Sequence, residues 1–172
     1  MAEGKSFAPS SRISIGKIGV VYRICILHSG KSEKELPLIR DFQLKPGEDG
    51  LSVDDGEVHS AEKTLAVCGS QYRQGKTEFK DVKQRLIYSL PKENVLSLEL
   101  VDGIYEDKIY FTNKIGKPEN LAHCIIVPNS YTDLDLPEFA LKLHEIAVQN
   151  SRVDVDMANV ERLIAEINDS VK

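Results

Sequence analysis

The chain of 172 residues is long enough for one globular domain with a sizeable core, and its 41% hydrophobic content suits such a domain. Its net charge of −5 argues against a general affinity for nucleic acid, because phosphate binding needs clustered lysines and arginines. No window approaches 18 apolar residues and the N-terminus has no apolar core, so we expect neither a membrane span nor a signal peptide.

The front of the chain divides into a polar tail and a strand. Residues 1–14 are rich in serine and other small residues, and we predict a disordered tail there, followed by a single domain over residues 15–172. The sequence of residues 15–28, IGKIGVVYRICILH, is apolar on both faces, as in a central strand. The three cysteines lie in apolar runs without a CxxC pair, which indicates reduced core residues of a cytoplasmic protein.

The next segment combines turn signals with short extended stretches. We expect a second strand over residues 38–44. Pro46-Gly47 and Asp54-Asp55-Gly56 are turn signals on either side of the extended Leu51-Ser52-Val53. The carboxylates of this segment are therefore expected to be solvated, and to give the protein an acidic surface from Glu48 to Glu57.

The middle of the chain predicts two helices and a hairpin. Ser60 is a suitable N-cap for a helix over residues 61–68. Apolar residues at helical spacing after Thr77 predict a second helix over residues 79–90. The Asp102-Gly103 dipeptide between two apolar runs predicts a hairpin.

The last third of the chain predicts one strand and two helices. The sequence of residues 121–128, LAHCIIVP, is typical of a buried strand, and apolar faces predict helices starting near Asp135 and Asp156. Strands and helices do not alternate regularly. This order favours an α+β fold, with a mixed or mostly antiparallel sheet packed with the C-terminal helices.

Two polar residues inside the predicted strands are candidate functional residues. By alternation Arg23 shares a strand face with Val21, Cys25 and Leu27, and a buried guanidinium needs a carboxylate, carbonyl or phosphate partner, either structural or from a ligand. His123 shares a strand face with Leu121, Ile125 and Val127, and is either a general base or a hydrogen-bonded core residue. Both alternatives stay open.

Residues 69–77, GSQYRQGKT, match the end of a phosphate-binding P-loop. Gly75, Lys76 and Thr77 supply the G-K-[ST] end, which brings a lysine and a hydroxyl to phosphate oxygens and Mg²⁺. Gly69 stands one residue too early to be the first glycine of the motif. The alternative is a polar loop in which Thr77 caps a helix.

The sequence predicts no metal site. The four histidines do not occur at ligand spacing. An EF-hand loop with Gly50 or Gly56 at its sixth position would put Lys45 or Leu51 where an aspartate is required. A serine nucleophile elbow is also missing, because Ser52 in GLSV lacks the second glycine of G-x-S-x-G.

Three short phrases carry a resemblance: VYR at residues 21–23, GLSV at residues 50–53 and HCII at residues 123–126. In order and type they resemble those of a loose set of small bacterial proteins of unknown activity. The chain also resembles ADP-ribosyltransferase-like toxins, including the RES type, which hold NAD with an arginine on an early strand and a serine further on. Arg23 and Ser52 are the matching positions, so this resemblance implies an NAD-linked enzyme.

Three hypotheses of function follow. Because no catalytic motif is complete, the leading one is a non-catalytic module without a cofactor, which binds a protein partner or a small molecule and no nucleic acid. The alternative is a nucleotide-handling, NAD-linked enzyme in which Arg23, Ser52 and His123 line one cleft. The third is a Mg-nucleotide binder that uses residues 75–77. The oligomeric state stays open.

Overall fold

The computed structural model describes residues 12–27 and 37–172, which are organised by a sheet of five strands. A 3₁₀ turn at Ile39–Phe42 stands where a strand was predicted over residues 38–44, so that prediction is wrong; the turn brings the fully buried Phe42 into the main core. The regular elements in chain order are β1 (Val20–Ile26), β2 (Leu51–Asp55), α1 (Ala61–Gly69), β3 (Arg85–Pro91), α2 (Lys92–Leu96), β4 (Val101–Glu106), β5 (His123–Pro128), α3 (Asp135–Asn150) and α4 (Met157–Asp169).

The sheet is antiparallel throughout, with the strand order β3-β1-β2-β5-β4. Together with the four helices, it confirms the predicted α+β class and the packing of the sheet with C-terminal helices. β1 pairs with β2 at two positions, Val21 with Asp55 and Tyr22 with Asp54, and β2 places Asp54 opposite His123 of β5. Because side chains alternate along a strand, Tyr22, Asp54 and His123 share one face of the sheet, while Val21 and Asp55 share the other.

One face of the sheet, which we call the α3 face, carries the main core. Helix α3 lies along it with its apolar side against the strands. Each fully buried aliphatic or aromatic side chain contributes roughly 1.5–3 kcal/mol, so this cluster is the principal source of stability. The cluster includes Val21, Cys25, Leu51, Val53, Leu90, Ile104, Cys124, Ile126, Phe139, Ala140 and Leu143.

The opposite face, which we call the α1 face, is covered by α1 and α4. These helices pack closely at Gly69, where an added Cβ would lie 2.7 Å from Ile164 Cδ1. Their cover lies over β1 and β3, and it ends towards β2 and β5. The cluster under this cover includes Tyr22, Ile24, Ala61, Leu65, Ala66, Ile87 and Val160.

Short extended segments pair with both outer strands of the sheet. The Ile15 N–H donates to the Ile104 carbonyl of β4 at 3.0 Å, and the Val153 N–H donates to the Ile87 carbonyl of β3 at 2.9 Å. Edge groups that are paired in this way are closed to a strand from another chain.

The predicted tail is described in part. Its residues 1–11 lie outside the described residues, as does His28 in the loop of residues 28–36. Ser14, the last residue of the predicted tail, forms an isolated antiparallel bridge with Tyr105. None of the helices that the structure describes has the length and apolar character needed to span a membrane.

The helix predicted over residues 79–90 is wrong, because this segment runs into β3. Leu86, Tyr88 and Leu90 belong to the α3 face, whereas Ile87 belongs to the α1 face. The strand is therefore buried on both sides. A short apolar run of this kind matches helical spacing by coincidence, and periodicity alone does not separate the two structures.

The hairpin predicted around Asp102-Gly103 is also wrong. Lys92–Leu96 is helix α2, and the two turn-like residues lie inside β4, where the pairing with β5 shifts register after Val101. A Cβ at position 103 would lie 2.8 Å from the Tyr105 hydroxyl oxygen. This glycine therefore makes room for a folded-back ring at an irregular point of a strand, instead of forming a turn.

Candidate ligand-binding cleft

A cleft of about 360 Å³ lies on the α1 face, where the helical cover ends over β2 and β5. Strands β1, β2 and β5 form its floor, and α1 forms one wall. Ligand sites commonly have volumes of about 300–1,000 Å³, so this cleft suits a metabolite-sized molecule. Its apolar lining residues are Ile24, Val53, Val67 and Ile109, and its polar ones include Asp54, Thr64, Gln71, Lys80, Asn120 and His123.

The floor of the cleft is a row of polar side chains across three strands. Asp54 of β2 stands between Tyr22 of β1 and His123 of β5, in direct register with both. Ser52 lies two residues before Asp54 on the same face, nearer the open end, and its side chain is exposed. The antiparallel register thus gathers residues that are distant in sequence.

The wall contributed by α1 begins with the Ser60 cap, whose hydroxyl accepts a hydrogen bond from the Lys63 N–H at 3.1 Å. Thr64, Cys68 and Gln71 recur at helical spacing and line the cleft. Thr64 is 1% exposed, and its hydroxyl has no hydrogen-bond partner within the part of the chain that the structure describes. A buried polar group left in this way costs about 1–3 kcal/mol, which a bound ligand could recover.

Asp54 is a buried carboxylate, 7% exposed, held mainly by a neutral donor. The Asn120 side-chain N–H donates to its Oδ1 at 3.1 Å. Burial raises the pKa of Asp54 above its usual range, and the Asn120 bond and the charges of His123 and His59 offset part of that rise. The Thr64 hydroxyl also lowers this pKa as a side-chain donor beside the carboxylate, with the smallest influence, although it does not reach the geometry of a complete hydrogen bond with any described residue.

Two histidines flank Asp54. His123 Nδ1 lies 2.8 Å from the Asp107 carbonyl oxygen and 3.1 Å from Asp107 Oδ2. A proton on Nδ1 donates to Asp107 and leaves Nε2 as an acceptor. His59 Nδ1 is buried without a partner among the described residues, and burial lowers the pKa of this ring. The Asp54 carboxylate therefore has two imidazoles beside it, of which His123 is held by Asp107 and His59 has no partner for Nδ1 among the described residues.

The rim of the cleft consists of two arms, which we define as the first arm (residues 71–80) and the second arm (residues 107–120). Tyr72 and Phe79 bridge across the first arm, with ring centroids 5.1 Å apart. The Tyr72 N–H donates to the Gly116 carbonyl of the second arm at 3.1 Å, which joins the arms. Together they contain six basic and three acidic residues in a chain whose net charge is −5. The rim is therefore electropositive relative to the rest of the protein.

Arg23 fills the gap where β1 and β2 diverge. Its Nε and Nη2 donate to the Asp41 carbonyl at 2.8 and 2.6 Å, and its Nη1 donates to the Ser52 carbonyl at 2.8 Å. Burial lowers the pKa of this guanidinium. These backbone carbonyls are the partners that a buried guanidinium requires. The arrangement gives Arg23 a structural role at the edge of the cleft.

Arg23, Ser52 and His123 all border one cleft, but only Ser52 and His123 belong to the α1 face. By strand alternation Arg23 shares the α3 face with Val21 and Cys25. Gly75, Lys76 and Thr77 lie outside the lining. Residues 75–77 lie at the exposed turn of the first arm, and Gly75 has a φ of +70°. The chain after Thr77 bends, forms a single 3₁₀ turn at Val82–Gln84 and enters β3 without an α-helix. A P-loop requires a strand before the glycine-rich loop and a helix after it, and this turn has neither.

Asp54, Thr64 and Asn120 are site residues that were not predicted from the sequence. The expectation of solvated carboxylates is wrong for Asp54 and Asp55, because β2 continues through both residues before the turn begins. Asp55 is bound by Lys92, with Nζ 2.6 Å from Oδ1. The alternation of apolar and polar residues that starts at Leu51 could have indicated that the strand includes Asp54. It was obscured because Asp-Asp-Gly also fits turn chemistry.

Among residues 12–27 and 37–172, no group of three or more histidine, cysteine, aspartate or glutamate side chains is arranged to hold a metal ion. Comparison of the chain with protein-family models, curated proteins and solved structures gives no significant match. The function is therefore argued from the chemistry of the cleft.

Proposed function

We propose that this protein binds a small polar molecule in the cleft, with Asp54 and Thr64 as the anchoring groups. One observation carries the proposal: a fully buried hydroxyl without a partner among the described residues stands beside a buried carboxylate on the floor of an open cleft. Buried polar groups are normally hydrogen-bonded, and an exception needs a reason. A ligand that donates a hydrogen bond to the Asp54 carboxylate and forms another with the Thr64 hydroxyl would explain this exception.

The composition of the cleft supports the same proposal. Ligand sites combine mainly apolar walls with a few convergent polar groups that fix the orientation of the ligand. Here Ile24 and Val67 supply apolar wall, and the polar groups converge on Asp54. A carboxylate with a raised pKa in a cleft is a further mark of a functional site.

The test is amide NMR of the labelled protein with separate sets of small amines, amides, carboxylates and nucleosides. We expect members of at least one set to shift the amide signals around Asp54, Thr64 and His123, and to leave those of α3 unchanged. Thr64→Val keeps the shape of the side chain and removes the hydroxyl, so it should weaken binding by about three- to tenfold.

Thr77→Val is the matched control, because Thr77 is an exposed threonine outside the cleft lining. This variant should bind the same molecules as the wild-type protein. Two results would overturn the proposal: no set shifts the cleft signals, or the two variants weaken binding equally.

A second candidate is the NAD-linked enzyme that the resemblance implies. The observation that favours it is the orientation of His123, because Asp107 holds Nδ1 and leaves Nε2 for proton transfer in the cleft that Arg23 and Ser52 also line. Thermal melting with NAD, and separately with Mg-ATP, tests this function. A ligand at 100 times its Kd stabilises the folded state by about 2.7 kcal/mol. Unchanged melting with NAD speaks against the enzyme.

The cytoplasmic location predicted from the cysteines belongs to the same proposal. Cys25, Cys68 and Cys124 carry free thiols. Burial raises the pKa of Cys25 to about 12, and it also raises the pKa values of Cys68 and Cys124. Cys25 and Cys124 are buried, and protonated, buried thiols are unreactive core groups, which supports a protein that works in a reducing compartment.

A further inference from the structure

The charge of Asp54 has no permanent cation beside it. Its hydrogen bond comes from an amide, and no ion pair joins it to any residue that the structure describes. The two flanking imidazoles are cations only when protonated, and their charges offset only part of the effect of burial on the pKa of Asp54. Burial lowers the pKa of His59, and the Nδ1 of His123 faces Asp107. A carboxylate removed from water needs a paired charge or several donors, so the described residues leave the ionised form of Asp54 without a counter-charge.

The permanent cations that line the cleft are engaged elsewhere. Lys80 Nζ donates to Gln71 Oε1 at 2.7 Å, on the first arm. The guanidinium of Arg23 is occupied by the carbonyls of Asp41 and Ser52. The cation that completes Asp54 must therefore arrive with the ligand.

We propose that the ligand of this cleft carries a protonated amino or amidinium group, which pairs with Asp54 and donates a hydrogen bond to the Thr64 hydroxyl oxygen. This inference rests on the proposed function and names the chemical class of its ligand. The Thr64 hydroxyl suits the role because it is fully buried, lines the cleft and accepts from no described donor. A charge-assisted bond of this kind is about twice as strong as a neutral one.

The opposite end of the ligand carries an anionic group. Lys80 lines the cleft at the rim, and the two arms around it hold six basic residues against three acidic ones. This positive rim would repel a simple amine, whereas an anionic group at the far end of the ligand makes the rim attractive. The ligand class is therefore a small zwitterion with a carboxylate or a phosphate.

The experiment is an amide NMR titration with a matched series of probes. The zwitterions are unbranched ω-amino acids from glycine to 6-aminohexanoate, and phosphoethanolamine is the phosphate member. Each amino acid is compared with the alkylamine and the carboxylate of the same length. We expect the best zwitterion to bind with a Kd at least tenfold below that of its carboxylate. The comparison of carboxylate with phosphate identifies the anionic group.

Asp54→Asn tests the contact itself. Asparagine fills the same volume and can still accept from Asn120, so the fold is kept while the charge is lost. Zwitterion binding should weaken by at least about tenfold, as expected for a hydrogen bond to a charged group. Asp154→Asn is the matched control, because Asp154 is exposed on the connection between α3 and α4. It should bind like the wild-type protein.

The outcomes separate this inference from the function on which it rests. If the carboxylates bind in the cleft as tightly as every zwitterion of the same length, the cleft is a ligand site but the ammonium pairing is wrong. The same holds if Asp54→Asn binds zwitterions as well as Asp154→Asn does. If no probe of any class shifts the cleft signals, the proposed function fails together with the inference.

Discussion

Asp54 and Asp55 are neighbours in β2, yet the two faces of the sheet treat their carboxylates in different ways. On the α3 face, Asp55 pairs with Lys92, with Nζ 2.6 Å from Oδ1. On the α1 face, Asp54 receives one amide hydrogen bond and faces a cleft. One carboxylate has its counter-charge supplied by the chain, and the other does not. The difference distinguishes a structural ion pair from the site that, in our proposal, a ligand completes.

The position of Lys92 explains why its pair is structural. It is the first residue of α2, its N–H donates to the Gly19 carbonyl at 3.0 Å, and its side chain is 2% exposed. The ion pair therefore ties the start of α2 to the end of β2. Desolvation makes such a pair a weak source of net stability, but breaking one partner leaves an isolated buried charge.

The largest effect is expected for Lys92→Met, which leaves Asp55 without its cation. Methionine keeps most of the apolar volume, so the loss is mainly electrostatic. We expect the free energy of unfolding to fall by about 3–5 kcal/mol. Urea unfolding measures this loss.

The control for this prediction is the double variant Lys92→Met with Asp55→Asn, which removes the stranded charge. It should recover most of the lost stability. If Lys92→Met unfolds at the wild-type urea concentration, the two faces do not differ as described, because the pair on the α3 face would then be dispensable.

A smaller loss is expected for Arg23→Met, which strands the Asp41 and Ser52 carbonyls. Each buried acceptor that loses its donor costs about 1–3 kcal/mol, and water entering from the cleft will replace part of the bonding, so we expect a loss near 2 kcal/mol. Urea unfolding again measures it. Affinity for the zwitterions should stay within about threefold of wild type, because Arg23 does not bind the ligand in our proposal. Loss of NAD binding with unchanged stability would instead favour the NAD-linked enzyme.

The regular parts of the fold were predictable because their signals are local. The helix beginning after Ser60, the strand ending in Ile125-Ile126-Val127 and the helices near Asp135 and Asp156 all occur as predicted. Caps and one-sided apolar patterns are short-range features, and packing did not override them. β3 was predicted as a helix because a strand buried on both faces has no alternation to detect.

The site was less predictable because its residues meet only through register. His123 was recognised as a polar residue in a buried strand, but nothing local indicates that Asp54 lies opposite it. Asn120 comes from the second arm and Thr64 from α1, so neither belongs to a motif. Arg23 was recognised for the right reason, burial of a charge, while its partners turned out to be backbone carbonyls that no side-chain pattern encodes.

The smallest effect on stability is expected for Asp54→Asn across a pH series. This series tests directly whether Asp54 and Asp55 differ as described. Burial raises the pKa of Asp54, so the folded protein holds this proton to a higher pH than the unfolded chain does. The wild-type protein therefore loses stability as pH rises through the folded-state pKa of Asp54. Asp54→Asn has no such proton to lose, and should be the more stable of the two at neutral pH. The difference in stability between the two proteins should disappear below the usual aspartate pKa of about 3.9.

The titratable groups around Asp54 include His59, His123, Cys68 and Cys124, and Tyr22 lies beside it in register. They are present in both proteins, so the difference between the two urea series isolates the carboxylate to first order. Adding the best-binding zwitterion at neutral pH should make the wild-type protein the more stable of the two. Its ammonium group stabilises the ionised carboxylate of the wild-type protein, whereas it has no counter-charge in the variant. If the difference in free energy of unfolding between the two proteins does not change with pH, Asp54 is solvated like an exposed aspartate. The contrast with Asp55, and the need for a cationic ligand, would then both disappear.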